Sequence, residues 1–490
     1  MSALDTPRAR NIALALLAMT QFVIVIDASI VNVALPSIGR ALSFSRTDLS
    51  WVVNAYTLTF GGFLLLGGRL ADLMGRRRMF IIGLILFSLA SLGGGLAQSE
   101  GWLIVARGVQ GLGGAIVSPA ALSIITTTFA EGTERNRALG VWGAVAGAGG
   151  AAGVLLGGVL TSGLSWRWVL FVNVPIGVIC AFLAPRLLPE SRNEGDGRSF
   201  DILGAVTVTA GLVLLVYALV DTANVGWGSA ATLLKLAGAV VLLVAFVITE
   251  RRQTQPLVRF SILRLRTLRA ANIVGLLTGM SLFSMFYFIS LYLQDVLHDS
   301  ALTAGISYLP LAVLIIVSAG VASQLVNRFG YKPILIIGQL FIAGGLLWFA
   351  ALSASGSFAG DVLGPSMLAA VGLGLSFVPV TIAALTGTAP NEAGLASGLI
   401  NTSQQVGGAL GLAILATIAN SLTNSELHNR IPAPVALTDG FGRAFTVGAG
   451  FAVAGAILSL ILISTRDSRH HVEAAQVEEA AQAEEAAAVT

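Results

Sequence analysis

The chain has little of what soluble enzymes and extracellular domains are built around. Among 490 residues there is one cysteine, Cys180, and there are four histidines: His298, His428, His470 and His471. A single cysteine excludes an intrachain disulfide. No His/Cys/Asp cluster stands at metal-ligand spacing, and no nucleophile–base pair falls in the apolar segments. This speaks against a resident metal and against an enzyme. No Gly-x-x-x-x-Gly-Lys loop occurs, which argues against ATP as a drive within this chain. Charged residues make up only 11% of the chain, and its net charge of +3 comes from basic residues set between apolar runs. That is no footprint for nucleic acid.

What is present is apolar. Hydrophobic residues make up 55% of the chain and the mean hydropathy is +0.85. This balance excludes a soluble globular fold and predicts an all-α polytopic membrane protein. Apolar spans run near 11–36, 51–70, 79–98, 102–128, 138–163, 166–188, 201–221, 229–250, 271–293, 303–325, 332–353, 361–387, 393–419 and 443–465. Each is long enough to cross a hydrocarbon core of about 30 Å as a helix. Residues 1–10 are short and polar, and 11–36 reads as a span rather than a cleaved leader. The even count puts both termini on one side. About 20 of the 28 basic residues, with Arg76–Arg78 the densest cluster, fall on that side, which predicts it to be the cytoplasm. Trp51, Trp102, Trp166 and Trp168 fall at the opposite span ends, where an aromatic belt is expected.

The most telling short stretch is Gly68-Arg-Leu-Ala-Asp72-Leu-Met-Gly75-Arg76-Arg77-Arg78-Met79-Phe80. It links two spans with one acid and three arginines. Asp72 is suited to pair with a neighbouring arginine or to cap a helix start, and so to act as a latch. Roughly 255 residues later Leu325-Val-Asn327-Arg328-Phe-Gly330-Tyr-Lys332-Pro333 repeats the pattern with Asn327 in place of the acid. Two copies in step suggest a duplicated carrier. The distance between them leaves room for two extra spans. The expected organisation is an N-terminal six-helix bundle (1–190), a two-helix insert with its linkers (191–270), a C-terminal six-helix bundle (271–465) and an Ala/Glu-rich tail (466–490).

Charged residues inside spans are costly and mark function more often than structure. Asp27 lies in Ile26-Asp27-Ala-Ser-Ile-Val-Asn32-Val-Ala-Leu-Pro36. It is either a structural acid or a proton site, because a low dielectric lets a carboxylate take a proton near neutral pH. Arg107 lies in Arg107-Gly-Val-Gln110-Gly111 and must either snorkel outward or find a partner. Counted from their span ends at 1.5 Å per residue, the two agree in depth within roughly 6 Å, so Asp27 is the candidate partner. The fifth span is rich in glycine, including Gly153, Gly157 and Gly158, which suits close helix packing and a gate made by it. Gln21, Asn32, Asn54, Tyr56, Gln110, Tyr287 and Gln404 are candidates for a substrate cavity, although such residues are more often glue between helices than ligand contacts.

These segments carry a resemblance. Gly68–Phe80 is similar to the first cytoplasmic signature loop of the major facilitator superfamily. Asp27–Pro36 resembles the first-helix signature of its fourteen-helix drug–proton antiporters, the EmrB/QacA type. Arg107–Gly113 resembles the Arg-Gly-x-x-Gln-Gly signature, and Gly143–Gly158 the antiporter signature, with Val154 where relatives carry proline. Trp166-Arg167-Trp168-Val-Leu-Phe-Val-Asn173-Val-Pro175-Ile-Gly177 is similar to the signature most specific to that branch. The resemblance implies a fold of 6 + 2 + 6 helices in two pseudo-symmetric halves. It also implies proton-coupled export of amphiphilic small molecules such as drugs or antibiotics by alternating access. Proton coupling falls on Asp27 and Arg107, and the conformational latch on Gly68, Asp72, Gly75 and Arg76. The expected energy source is the proton gradient without a cofactor, and the expected partners are substrate, protons and the lipid bilayer. A monomer in the inner (plasma) membrane with both termini cytoplasmic is expected. A dedicated metabolite exporter or a uniporter of the same fold is the alternative.

Overall fold

The structure is a computed structural model and describes residues 7–45, 47–129, 133–191, 202–253, 261–388 and 393–469, with 256 and 472. Among these residues there are helices and no strand. The helices are α1 (Pro7–Leu42), α2 (Trp51–Met74), α3 (Arg76–Gly95), α4 (Glu100–Thr128), α5 (Thr133–Gly163), α6 (Trp168–Phe171), α7 (Asn173–Leu187), α8 (Ile202–Val225) and α9 (Ala230–Arg252). They continue with α10 (Arg266–Leu291), α11 (Ala301–Ser307), α12 (Leu309–Phe329), α13 (Tyr331–Phe349), α14 (Leu363–Leu385), α15 (Ala393–His428) and α16 (Ala433–Leu462).

Fourteen spans result, because α6–α7 and α11–α12 each form one span, broken at Val172 and Tyr308. Thirteen are long and apolar enough to cross a bilayer, and the fourteenth is the 31-residue α5. The helices overrun the expected spans. α1 continues through Pro36 to Leu42, α15 extends to His428, and α16 begins at Ala433 rather than near 443. Hydropathy finds the part of a helix that lies in lipid, whereas backbone hydrogen bonding carries the helix beyond it. The belt is also thinner than expected. Trp102 and Trp168 are exposed, but Trp51 is buried beside Tyr217 and Trp166 lies under the Arg167 guanidinium.

Packing separates the helices into groups. α1 lies on α5, and α4 lies between α2 and α3; in the later part of the chain α10 lies on α15, and α14 between α12 and α13. At the arginine-rich end each group keeps its own apolar core. One contains Phe80, Phe87 and Ile125, the other Tyr331, Leu335 and Val380. At the opposite end a single core joins both groups, with Ile30 and Leu35 of α1 beside Phe288 of α10 and Phe445 of α16. Gln294 Nε2 donates to the Val33 carbonyl there (2.9 Å), and the Leu302 N–H donates to Ser162 Oγ (3.0 Å). The apolar cores are therefore shared at one end and separate at the arginine-rich end, where α2 still meets α15 through Leu65 and Gly398. α8 covers the seam between α2 and α15 through Leu212, Val216 and Val220. α9 packs on α8 and exposes Leu234 and Val241, surface that hydrocarbon would cover.

The two short loops found by their sequence echo have one geometry. α2 stops at Gly75 with φ +106°, and α12 stops at Gly330 with φ +82°. An L side chain would be strained in either place, so glycine is required for the next helix to start at once.

Candidate functional site

Asp27 sits in the middle of α1 and is completely buried. A carboxylate there needs partners, and two helices, α4 and α7, supply them. From α4, Arg107 Nη1 donates to Asp27 Oδ2 (2.7 Å) and Gln110 Nε2 donates to Oδ1 (2.8 Å). From α7, Asn173 Nδ2 donates to Oδ1 (2.7 Å). Ser91 Oγ of α3 accepts from both amides, at 3.1 Å each, and donates to the Leu170 carbonyl of α6 (2.8 Å). Arg107 is held from its other side. Its Nε donates to the Val52 carbonyl (3.0 Å), Nη1 also donates to Gln110 Oε1 (2.7 Å), and its guanidinium lies 4.4 Å from the Tyr56 ring centroid.

The depth argument from the sequence thus holds, and the snorkelling alternative fails: Arg107 is only 2% exposed. The spacing of Arg107 and Gln110 explains why both reach one carboxylate, since residues three apart share a helix face. Two members of the cluster carried no assigned role in the sequence. Asn173 was read only as part of a resemblance. Its signal was an amide inside an apolar run, just before Pro175. Ser91 gave no usable signal, because a serine inside a helix ordinarily bonds its own preceding turn.

The glycine-rich fifth helix is placed against this cluster's helix. A Cβ on Gly153 would stand 2.0 Å from Ser29 Oγ, and one on Gly157 would stand 2.7 Å from the Ile30 carbonyl oxygen, both on α1. Gly158 faces the other way, where a Cβ would be 2.7 Å from the Ala301 carbonyl oxygen of α11. α5 is therefore clamped between α1 and α11. Val154, where relatives of the resembled type carry proline, is buried, with its carbonyl against Gly305.

At the arginine-rich loop the Asp72 side chain lies outside the described residues. What the structure adds is Glu190, just after α7. Its carboxylate accepts the N–H groups of Arg77 (3.1 Å) and Arg78 (3.2 Å) at the start of α3, and pairs with Arg77 Nε at 3.6 Å. Arg77 Nη1 also donates to the Leu188 carbonyl (3.1 Å), and the Arg76 N–H donates to the Ser191 carbonyl (3.0 Å). An anion at a helix N-terminus satisfies orphan donors and the dipole together. A Cβ on Gly75 would be 2.7 Å from the Glu190 carboxylate. Gly68 faces Pro119 of α4. In the second loop Ser468 takes the place of Glu190, accepting the Lys332 N–H at 3.2 Å.

The remaining cavity candidates scatter. Tyr56 and Gln110 belong to the Asp27 cluster. Tyr287 packs edge-on against Phe288, and Gln404 lies between α15 and Gly279 of α10. Asn32 donates to the Ala28 carbonyl of its own helix (3.3 Å). Asn54 is fully buried with neither amide atom bonded, and Gln21 Oε1 is buried without a partner. Among the described residues no three His, Cys, Asp or Glu side chains gather as a metal site.

Fourteen helical spans among the described residues, packed around a buried ion pair, define a multi-pass membrane protein. Residues 17–412 match the Major Facilitator Superfamily, and the chain belongs to that family. It is 43% identical over 453 residues to the cephamycin export protein CmcT of Amycolatopsis lactamdurans, covering 92% of each chain. It is 40% identical over 453 residues to a puromycin resistance protein of Streptomyces alboniger, covering 91% of this chain and 90% of that one. The multidrug resistance protein Stp of Mycobacterium tuberculosis is 33% identical over 418 residues, 84% of this chain and 77% of that one. Among solved structures, the POT family transporter PepTSo superposes with a TM-score of 0.67 at 16% identity, covering 96% of this chain and 99% of that one. A bacterial homolog of the lysosomal transporter Spinster, inward-facing and occupied, gives 0.64 at 16% identity, covering 94% and 99%. At such identity the solved structures speak for the fold alone.

Proposed function

We propose that the protein exports amphiphilic small molecules, drugs or antibiotics among them, in exchange for protons. Export rests on the relatives, which are named for cephamycin export, puromycin resistance and multidrug resistance. The observation that carries proton exchange is the buried contact of Asp27 with Arg107. A carboxylate removed from water and held by a permanent cation is worth its cost if its charge must change during a cycle. In this reading, proton binding at Asp27 loosens α1 from α4 and α7, and release restores the contact. α1 also carries the Val33 contact with Gln294 and the glycine-lined contact with α5, so its movement would reach the joined end. The energy source is the proton gradient, without a cofactor. The partners are substrate, protons and lipid, and the working unit is a monomer.

Within the family the reading places the chain in the fourteen-helix drug–proton branch. Residues 1–190 and 271–465 would be the two moving bundles, with 191–270 an insert and 466–490 a tail. Both termini and the arginine-rich loops would face the cytoplasm from the inner membrane. In this reading substrate would enter from the cytoplasmic side once the α2–α15 contact at the arginine-rich end opens. The loop around Gly68, Asp72, Gly75 and Arg76 would latch one carrier state.

The test uses protein in liposomes loaded with a lipophilic cationic dye. Efflux driven by an imposed proton gradient is expected from the wild type and is expected to be lost in Asp27→Asn. Efflux that survives in the variant would remove Asp27 from coupling. Absence of efflux by the wild type across several dyes would favour a carrier dedicated to one metabolite.

A further inference from the structure

Asn173 has a feature that the ion pair alone does not explain. Its side chain is 1% exposed, and its two amide atoms are used unequally. Nδ2 donates to Asp27 Oδ1 and to Ser91 Oγ, while Oδ1 is buried without a partner. The orientation is chemically determined. An ionised carboxylate only accepts, so the nitrogen must face it. Leaving a buried amide oxygen unpaired is expensive, and evolution ordinarily removes or satisfies such an atom. Gln110 makes the contrast. Its oxygen accepts from Arg107 while its nitrogen serves Asp27 and Ser91, so both ends are committed.

We propose that Asn173 is a positioning residue whose amide turns over with the charge of Asp27, donating to the carboxylate and accepting from the protonated acid. When a proton from water reaches Asp27, the carboxyl gains an O–H, and Asp27 Oδ1 can no longer serve both amide donors unchanged. Rotation of Asn173 about its terminal bond exchanges oxygen for nitrogen. Asn173 Oδ1 then stands where Nδ2 stood and accepts the new O–H. Loss of the proton reverses the turn, and no other bond is made or broken covalently. Each state leaves one amide atom unpaired, so neither orientation is locked, as a reversible element requires. Asn173 opens α7 at its break from α6, and Ser91 holds α6 through Leu170. The turn-over therefore withdraws the Nδ2 contact with Ser91 and changes how α7 is tied to α1 and α3.

Arg107 of α4 and Tyr56 of α2 are the charged or titratable groups that face Asp27 among the described residues. α3 and α7 present Ser91 and Asn173, and α5 meets α1 with Gly149, Gly153 and Gly157. Gln110 and Arg107 keep their mutual contact in either state, and of the three side chains bonded to Asp27 among the described residues Asn173 is the one with an unpartnered acceptor.

This inference deepens the reading of Asp27 as the proton site, and its test does not depend on transport. Infrared difference spectra would be recorded against pH on purified protein carrying carbonyl-labelled asparagine. A carboxyl band that disappears in Asp27→Asn reports Asp27. An asparagine amide band is expected to change with the same midpoint in the wild type and to vanish from the difference spectrum in Asn173→Leu. In that variant the Asp27 carboxyl band is expected to move in frequency, because the protonated acid loses the acceptor that Asn173 Oδ1 would offer it. Absence of an asparagine band titrating with Asp27 in the wild type would overturn the proposal, whether or not the variant folds. So would an Asp27 carboxyl band of unchanged frequency in folded Asn173→Leu. Normal gradient-driven efflux by Asp27→Asn would remove proton coupling while leaving the infrared result standing.

Discussion

Replacing Arg107 by methionine removes the cation from a buried site. Asp27 is 0% exposed and would keep two amide donors, Gln110 Nε2 and Asn173 Nδ2. Breaking a buried pair from one side costs roughly 3–5 kcal/mol. The surviving donors place this case near the lower end, about 3 kcal/mol, with the lost bonds to Val52 and Gln110 inside that figure. The lost attraction belongs to the charged carboxylate alone. Asp27→Asn together with Arg107→Met removes both charges, so most of the loss should return, giving a coupling of about 2–3 kcal/mol. Denaturant titration of detergent-solubilised protein at pH 8, for the four members of the cycle, measures it. Single effects that add within about 0.5 kcal/mol at pH 8 would refute the reasoning, because independent sites behave that way.

Further outcomes follow from the close contacts and the loops. Gly153→Leu should abolish efflux while the protein still inserts, since even a Cβ there meets Ser29 Oγ at 2.0 Å and the Ile26 carbonyl oxygen at 2.9 Å. Membrane fractionation beside dye efflux checks it. Glu190→Ala removes the acceptor for two N–H groups at the start of α3 and should cost about 1 kcal/mol in the same denaturant titration. Glu190→Gln, which retains one acceptor oxygen, should lose less. Asp72→Asn should slow efflux and leave membrane insertion intact, and normal rates in that variant would defeat the latch.

Much of this protein was legible in order along the chain. Apolar run length locates a helix in a bilayer without reference to any other helix, because lipid forces each span to satisfy its own backbone. The fourteen spans, the Gly75 and Gly330 turns and the rarity of Asp27 and Arg107 inside apolar segments all follow from that local rule. Even the pairing of Asp27 with Arg107 could be argued, since depth along a span is a property of sequence. Direction around the helix is not. Hydropathy barely distinguishes a face turned to lipid from one turned to protein, so the contacts of Tyr56 and Gln110 with Arg107 and Asp27 were not legible when both were read as cavity candidates. Trp51 and Trp166 read as belt residues for the same reason. Ser91, Asn173 and Glu190 lie far in sequence from the groups they touch, and their roles arise only when α3, α4 and α7 close around α1. Sequence determined which groups had to be compensated inside the membrane. Tertiary packing decided which neighbours compensate them, because only there do rotation and proximity become fixed.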